Sequence, residues 1–288
     1  MNYAGVQVNE KFSSIVAPNL YADAIFQPGI TYSDEYQGDG VGAGAVKIPL
    51  VGSSDVADPQ TPASDFEHET ATSSLVDVYL NNSFQKSEKI YKVQADAVPY
   101  NMAETHLARA TQRCRGGWQA SGLACLAHEG TVLEDTTAVT EAKLKGHLLD
   151  TRGSVRKALA QANVILASVD TYTKMLKVAG DQYTPGFNEM VMQNGQIGRW
   201  MGMLWVECNM LDMLSAAKYY DYTGTLQTED LSKVDYIMYD WAGFSIIDNL
   251  EMMRLKDSEN FVGCLAQVAF NSGYRVVQKA RVAVKKHE

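Results

Sequence analysis

Five histidines and four cysteines are the residues of this chain best suited to hold a metal or attack an electrophile. Their spacing serves neither purpose. His68, His106, His128, His147 and His287 stand apart from one another and from any second ligand at the short intervals a zinc site uses. His128 and Glu129 fall at an expected helix end, where histidine is a common choice beside the free carbonyls. Cys114, Cys125, Cys208 and Cys264 show no paired short spacing, and each sits among apolar neighbours. That predicts buried free thiols in a reducing compartment. Gly38, Gly40, Gly42 and Gly44 alternate, but no Lys-Ser/Thr follows and no helix opens there, so a phosphate loop is excluded. Gly195 and Gly198 precede a predicted strand, which is the wrong context for dinucleotide binding. The chain has no Gly-x-Ser-x-Gly elbow. The acid pairs Glu134-Asp135 and Glu229-Asp230 lie in polar loops and read as solvated charge. The expectation is therefore no catalytic residue, no metal site and no cofactor.

The elements that would have to position such chemistry are themselves unusual. Six of the seven prolines, Pro18, Pro28, Pro49, Pro59, Pro62 and Pro99, fall in the first hundred residues, where they exclude helix. What remains is extended chain. Residues 1–29 carry scattered apolar anchors, including Phe12, Ile15, Leu20, Ile25 and Phe26, with no period. Two alternating segments follow, around Lys47 and around Asp77, with an acidic stretch between them that reads as an exposed hairpin tip. A third alternating run, Lys89 to Ala95, leads back to the body. An isolated hairpin is marginal in water, so neighbours must supply the burial that the first third lacks. The enzyme or small-molecule-binder alternative leaves that first third unexplained.

Asn101 and Glu104 form a capping-box start. The helix they open has an apolar stripe at Ala103, Leu107, Ala110, Cys114, Trp118, Ser121 and Cys125, the longest in the chain. Gly116 and Gly117 in its middle predict a bend or a close backbone contact. Further along come a helix over 140–160 with breaks possible at Gly146 and Gly153, and a strand over 163–167. A short helix closed by Gly180 follows, then a buried strand ending at Cys208. The tail reads as strands over 235–247, 250–255, 264–270 and 274–285. No internal repeat is visible. Apolar residues at 46% and a net charge of −9 describe a folded chain without the basic surface of a dedicated nucleic-acid binder. Neither a signal peptide nor a membrane span is expected.

The order of parts resembles the major capsid proteins of tailed bacteriophages, with their Hong Kong 97-type shell fold. Three stretches carry the likeness. Asn163 to Leu176 (NVILASVDTYTKML) is similar to the strand and short helix of the axial domain. Asn194 to Asn209 (NGQIGRWMGMLWVECN) is similar to the strand after the axial loop. Asp248–Asp257, Gly273–Val277 and Val282–Lys285 resemble the closing strands. The resemblance implies an α+β fold with an N-terminal arm over 1–29 and an extended hairpin loop over 30–82. A peripheral domain with the spine helix would occupy 83–130 and regain strands at 235–271. An axial domain would occupy 131–234 and regain its closing strand at 272–288. It implies hexamers and pentamers in an icosahedral head around double-stranded DNA that is confined and only non-specifically touched. Assembly would take place in the host bacterial cytoplasm and end in the virion. The partners implied are a separate scaffolding protein, a portal and decoration proteins; a bacterial encapsulin-type compartment is the alternative within the fold. Contacts between subunits are expected at Phe12, Ile15, Leu20, Val46, Ile48, Asp65, Glu67 and Trp200, and a hinge at Gly116 and Gly117.

Overall fold

Val234 to Tyr239 and Val164 to Ala167 are buried at every position, and strands of that kind must be covered on both faces. The computed structural model, which describes residues 25–37, 44–51, 73–98, 100–181, 198–200 and 202–288, places both runs at the centre of a sheet. In chain order the elements begin with strands β1 (Ala45–Val51), β2 (Ser73–Tyr79) and β3 (Asn82–Tyr91). Helices α1 (Lys92–Asp96) and α2 (Met102–Glu129) precede β4 (Thr131–Val132), α3 (Glu141–Lys157), β5 (Val164–Ala167) and α4 (Val169–Asp181). Then come β6 (Arg199–Trp200), β7 (Met203–Glu207), α5 (Met210–Met213), β8 (Ala217–Tyr220) and β9 (Leu226–Glu229). The chain closes with β10 (Val234–Tyr239), β11 (Phe244–Asp257), β12 (Gly263–Val276) and β13 (Val282–Lys286).

Six strands form the central sheet in the order β4-β13-β10-β5-β7-β6. Its side chains alternate between two cores, as a pleat requires. Val164, Leu166, Ile237, Tyr239, Val282 and Val284 face one, with Leu123 to Ala127 of α2. Ile165, Ala167, Tyr236, Met238 and Ala283 face the other, where α3 contributes Leu144, Leu148 and Val155 and α4 contributes Tyr172 and Met175. Helix α3 runs unbroken through Gly146 and Gly153, so the breaks expected there are absent. An alanine methyl at either glycine would meet only open space. Helix α4 likewise runs past Gly180 to Asp181.

The second sheet is a ribbon of three strands in the order β11-β12-β3, with α2 along one face. β11 and β12 are each 14 residues long and pair antiparallel from Phe244↔Val276 to Asp257↔Cys264, with one bulge between Asp248 and Leu250. Two expectations are corrected here. The tail strand predicted over 235–247 is two strands in different sheets, divided by a short turn at Trp241–Gly243 that Asp240 caps through the Ala242 amide. The strand predicted over 274–285 is likewise split by the turn at Lys279–Arg281, between β12 and β13. Residues 235–239 thus belong with the six-stranded sheet, and the ribbon begins only at Phe244. Alternation alone cannot register such a turn, because the apolar pattern continues through it.

The run from Lys89 to Ala95 also departs from expectation. Its pairing ends at Tyr91↔Gly263, where β12 begins. With no strand left to bond, Lys92 donates to the Val262 carbonyl at 3.1 Å and the chain turns into α1. Ile25 and Phe26, read as arm anchors, lie in the chain's own core, where Phe26 packs against Trp118, Tyr32 and Phe244. Phe12, Ile15, Leu20, Asp65 and Glu67 lie outside the described residues.

Candidate assembly surfaces

β1 and β2 form the expected hairpin, in register from Ala45↔Tyr79 to Val51↔Ser73. Period-two alternation gives it two unlike faces. Val46, Ile48 and Val78 are buried against Ile247, with Tyr36, Leu80 and Val277 around them. Val46 and Ile48 are therefore covered by their own chain rather than left open for a neighbour, which corrects the contact expected there. The opposite face carries Lys47, Leu75 and Tyr79, with Leu75 62% exposed and Tyr79 41%. Its base is fixed by polar contacts: Tyr220 donates its amide to Asn82 Oδ1 at 2.8 Å, and Asn81 Nδ2 donates to the Asp221 carbonyl at 3.0 Å. Asp221 in turn organises the β8–β9 turn. Burial pushes its carboxyl up, but hydrogen bonds from Thr223, Gln227 and Thr225 outweigh that and bring it to about 2.

Helix α2 starts as its sequence predicts, with Asn101 Oδ1 accepting from the Glu104 amide at 3.3 Å. Ala110, Cys114, Ser121 and Cys125 of the predicted stripe are buried. From Ser121 to Ala127 every residue is buried, because this half of the helix lies between the ribbon, β8 and the six-stranded sheet. The helix is continuous through Gly116 and Gly117. A methyl at Gly117 would sit 3.2 Å from the Phe84 ring of β3, whereas one at Gly116 would meet only Met210 Cε at 3.9 Å. Gly122 permits the closest approach: a methyl there would lie 2.7 Å from the Phe26 ring. That contact had no sequence signal, since Phe26 is almost a hundred residues away.

Buried charge joins these elements. Glu129, the last residue of α2, accepts from Arg275 Nη1 at 2.8 Å and from the Val276 amide at 2.9 Å. The Arg275 guanidinium lies 3.9 Å from the Tyr222 ring centroid. Burial raises the Glu129 carboxyl above its ordinary value, against the pull of Arg275. Lys285 of β13 is fully buried and donates to the Asp135 carbonyl, with the Asp135 carboxylate 3.4 Å away. Neither group was legible beforehand, because pairing partners so distant in sequence leave no local pattern. Trp200, an expected contact, is half-buried in β6 with its ring 6.1 Å from that of Trp205.

A cleft of about 800 Å³ lies between α1 and the β11–β12 turn, lined by Ile90, Lys92, Asp257, Phe261, Val262 and Cys264. No group of three or more His, Cys, Asp or Glu side chains among the described residues is placed to hold a metal ion. No helix among them is long and apolar enough to cross a membrane.

Solved structures match this architecture from end to end. A chain from Mycobacterium phage Che8 is 14% identical and superposes with a TM-score of 0.73, covering 99% of this chain and 98% of that one. The capsid structure of cyanophage P-SCSP1u is 12% identical with a TM-score of 0.72, covering 97% and 92%. The capsid of Myoviridae phage XM1 is 11% identical with a TM-score of 0.62, covering 99% and 100%. This is the Hong Kong 97-type capsid fold. No family model and no curated protein matches the sequence. α2 and the β1–β2 hairpin stand at the places in chain order where the resemblance set a spine helix and an extended loop. Identity this low leaves the geometry as the shared property.

Proposed function

We propose that the chain is the major capsid protein of a tailed bacteriophage, assembling as hexamers and pentamers into the icosahedral shell around packaged double-stranded DNA. The observation that supports this reading most is the match to the Che8, P-SCSP1u and XM1 structures over 97–99% of this chain. A likeness confined to one sheet would suit many functions; one that spans nearly the whole of both chains supports a shell. A role without catalysis fits a site whose polar groups are spent on fixing elements to one another. The division we propose is an arm over 1–24, an extended loop ending near 82, and a peripheral domain built on α2 and the β11-β12-β3 ribbon. The axial domain is then the six-stranded sheet with α3 and α4, and takes in β10 and β13. Scaffolding, portal and decoration proteins complete the proposed set of partners, and the virion is the proposed destination.

Physically, the hairpin and the arm would cover neighbouring subunits, burying surface that one subunit leaves wet. The negative net charge accords with DNA that is enclosed rather than gripped. Expression of the chain, alone and with a candidate scaffolding protein, followed by mass photometry and electron microscopy, tests the proposal. Closed or tubular particles with sixfold and fivefold clusters are expected. A sharp monomer or dimer under every condition would overturn it.

A further inference from the structure

Helix α3 has one covered face and one without any described element on it. Its buried residues, Leu144, Leu148, Thr151 and Val155, are spaced four, three and four apart and turn toward β10, β13 and α4. At 3.6 residues per turn, Ala142, Gly146 and Gly153 fall on the opposite side. Lys145, Leu149, Arg152 and Arg156 form a row along one edge of that side, and Lys143, Asp150 and Lys157 a row along the other. The helix thus holds five Lys or Arg against two acids, in a chain whose net charge is −9. Glu141, the first of those acids, is taken by Lys177 of α4 at 2.6 Å. Lys143, Arg156 and Lys157 are exposed and Arg152 is half-buried. None of these four is paired with an acid among the described residues.

Helix stability does not account for this face. Arg156 and Lys157 stand in the last turn, where cations suit the free carbonyls, but Lys143 stands in the first turn, where the dipole favours an acid. Nor does packing explain the glycines. Each costs about 1 kcal/mol against alanine inside a helix, and a methyl at Gly146 or Gly153 would meet nothing within 4 Å. Both features suit a polyanion laid along the helix: the cations reach its phosphates, and the side-chain-free crown lets its backbone come close. From Lys143 to Lys157 is roughly 21 Å at ~1.5 Å per residue, a length over which duplex DNA carries about twelve charges at one per ~1.7 Å. A protein partner would ask for an apolar centre. The helix face offers one large apolar side chain, Leu149.

We infer that the open face of α3, with Lys143, Arg152, Arg156 and Lys157, is a contact surface for the phosphate backbone of duplex DNA. This rests on the shell reading and adds to it which element faces the enclosed DNA and by what chemistry. Contacts of this kind carry no sequence information, and they weaken with rising salt because each one releases counterions.

Titrating the purified, unassembled chain into a labelled duplex of about 30 bp over a salt series tests it. A Lys143→Gln, Arg152→Gln, Arg156→Gln, Lys157→Gln chain is expected to bind about tenfold or more weakly at about 0.1 M salt, with a log–log salt slope shallower by about 3. Its circular dichroism and particle yield are expected to match the parent. A charge-keeping Lys143→Arg, Arg152→Lys, Arg156→Lys, Lys157→Arg chain is expected to bind as the parent does. Loss of binding there would show that the substitutions act by disturbing the helix and would overturn the inference. No binding by the parent, or an unchanged slope in the neutral variant, would overturn it as well. So would a neutral variant that keeps DNA binding but loses particle yield, because the face would then meet protein. Equal displacement of the duplex by polyglutamate of matched charge would overturn it on the same ground. A parent that binds DNA through this face yet never forms particles would refute the shell reading alone, which separates the two failures.

Discussion

Gly116 and Gly117 are adjacent in the spine helix yet have different reasons to lack a side chain. Gly116 faces nearly open space, with Met210 Cε at ordinary contact distance, so Gly116→Ala should raise stability by up to about 1 kcal/mol through helix propensity. Gly117→Ala gains the same propensity but presses a methyl to 3.2 Å from the Phe84 ring, which offsets the gain. Thermal melting of the two variant subunits should therefore separate them, with Gly116→Ala the higher. Equal melting temperatures would show that Phe84 yields freely and that the pair has no packing role. The hinge proposed for this pair needs a second readout, particle expansion, in which both variants would be impaired whatever their melting order. Gly122 makes the same point more sharply: its neighbour Phe26 is determined by the fold, and nothing in the helix sequence announces it.

At the scale of elements, the Glu129–Arg275 pair ties the end of the spine helix to β12. Its carboxyl is raised by burial, so the folded chain holds that proton more tightly than the unfolded chain does. The sign follows from linkage: Glu129 disfavours unfolding most at low pH, and this contribution is lost as pH rises from about 4.3 through the raised folded value. Glu129→Gln should flatten that part of the stability profile while keeping an acceptor for the Val276 amide. Glu129→Ala, which strands both Arg275 and that amide, should cost about 3 kcal/mol at neutral pH. Denaturant melts of the subunit at several pH values check both, and a Glu129→Gln profile that parallels the parent would show that other groups set the slope. The β11–β12 ribbon illustrates another element-scale property. Its two strands are nearly as long as the alternation that encodes them, but the turns at 241–243 and 279–281 divide what the pattern joins.

For the whole molecule, the boundary between arm and body has a direct test. Phe26 is 7% exposed and Ile25 1%, both in the main core, so the proposed arm must end before them. Deleting residues 1–24 should leave subunit melting nearly unchanged while lowering particle yield. Deleting residues 1–27 should destabilise the subunit by several kcal/mol, because removing a buried phenylalanine alone costs about 3–5 kcal/mol. Circular dichroism and electron microscopy on the two truncations decide the matter. If the shorter deletion also unfolds the subunit, residues before Ile25 belong to its core and the arm proposal falls.

Much of this architecture was determined by sequence alone, wherever the determinant is local. Asn101 and Glu104 fix the start of α2; the alternation around Lys47 and Asp77 fixes the hairpin; the apolar run at 163–167 fixes a strand. Those features are set by side-chain period and backbone sterics within a few residues. The tertiary structure decided what depends on encounters across the chain. It buried Val46 and Ile48 under Ile247, drew Phe26 into the notch at Gly122, and matched Glu129 with Arg275 and Lys285 with Asp135. It also ended β3 at Tyr91, where its partner strand runs out. Each of these is a contact between residues far apart in sequence, and burial energy acts on distance in space, which a linear pattern does not contain.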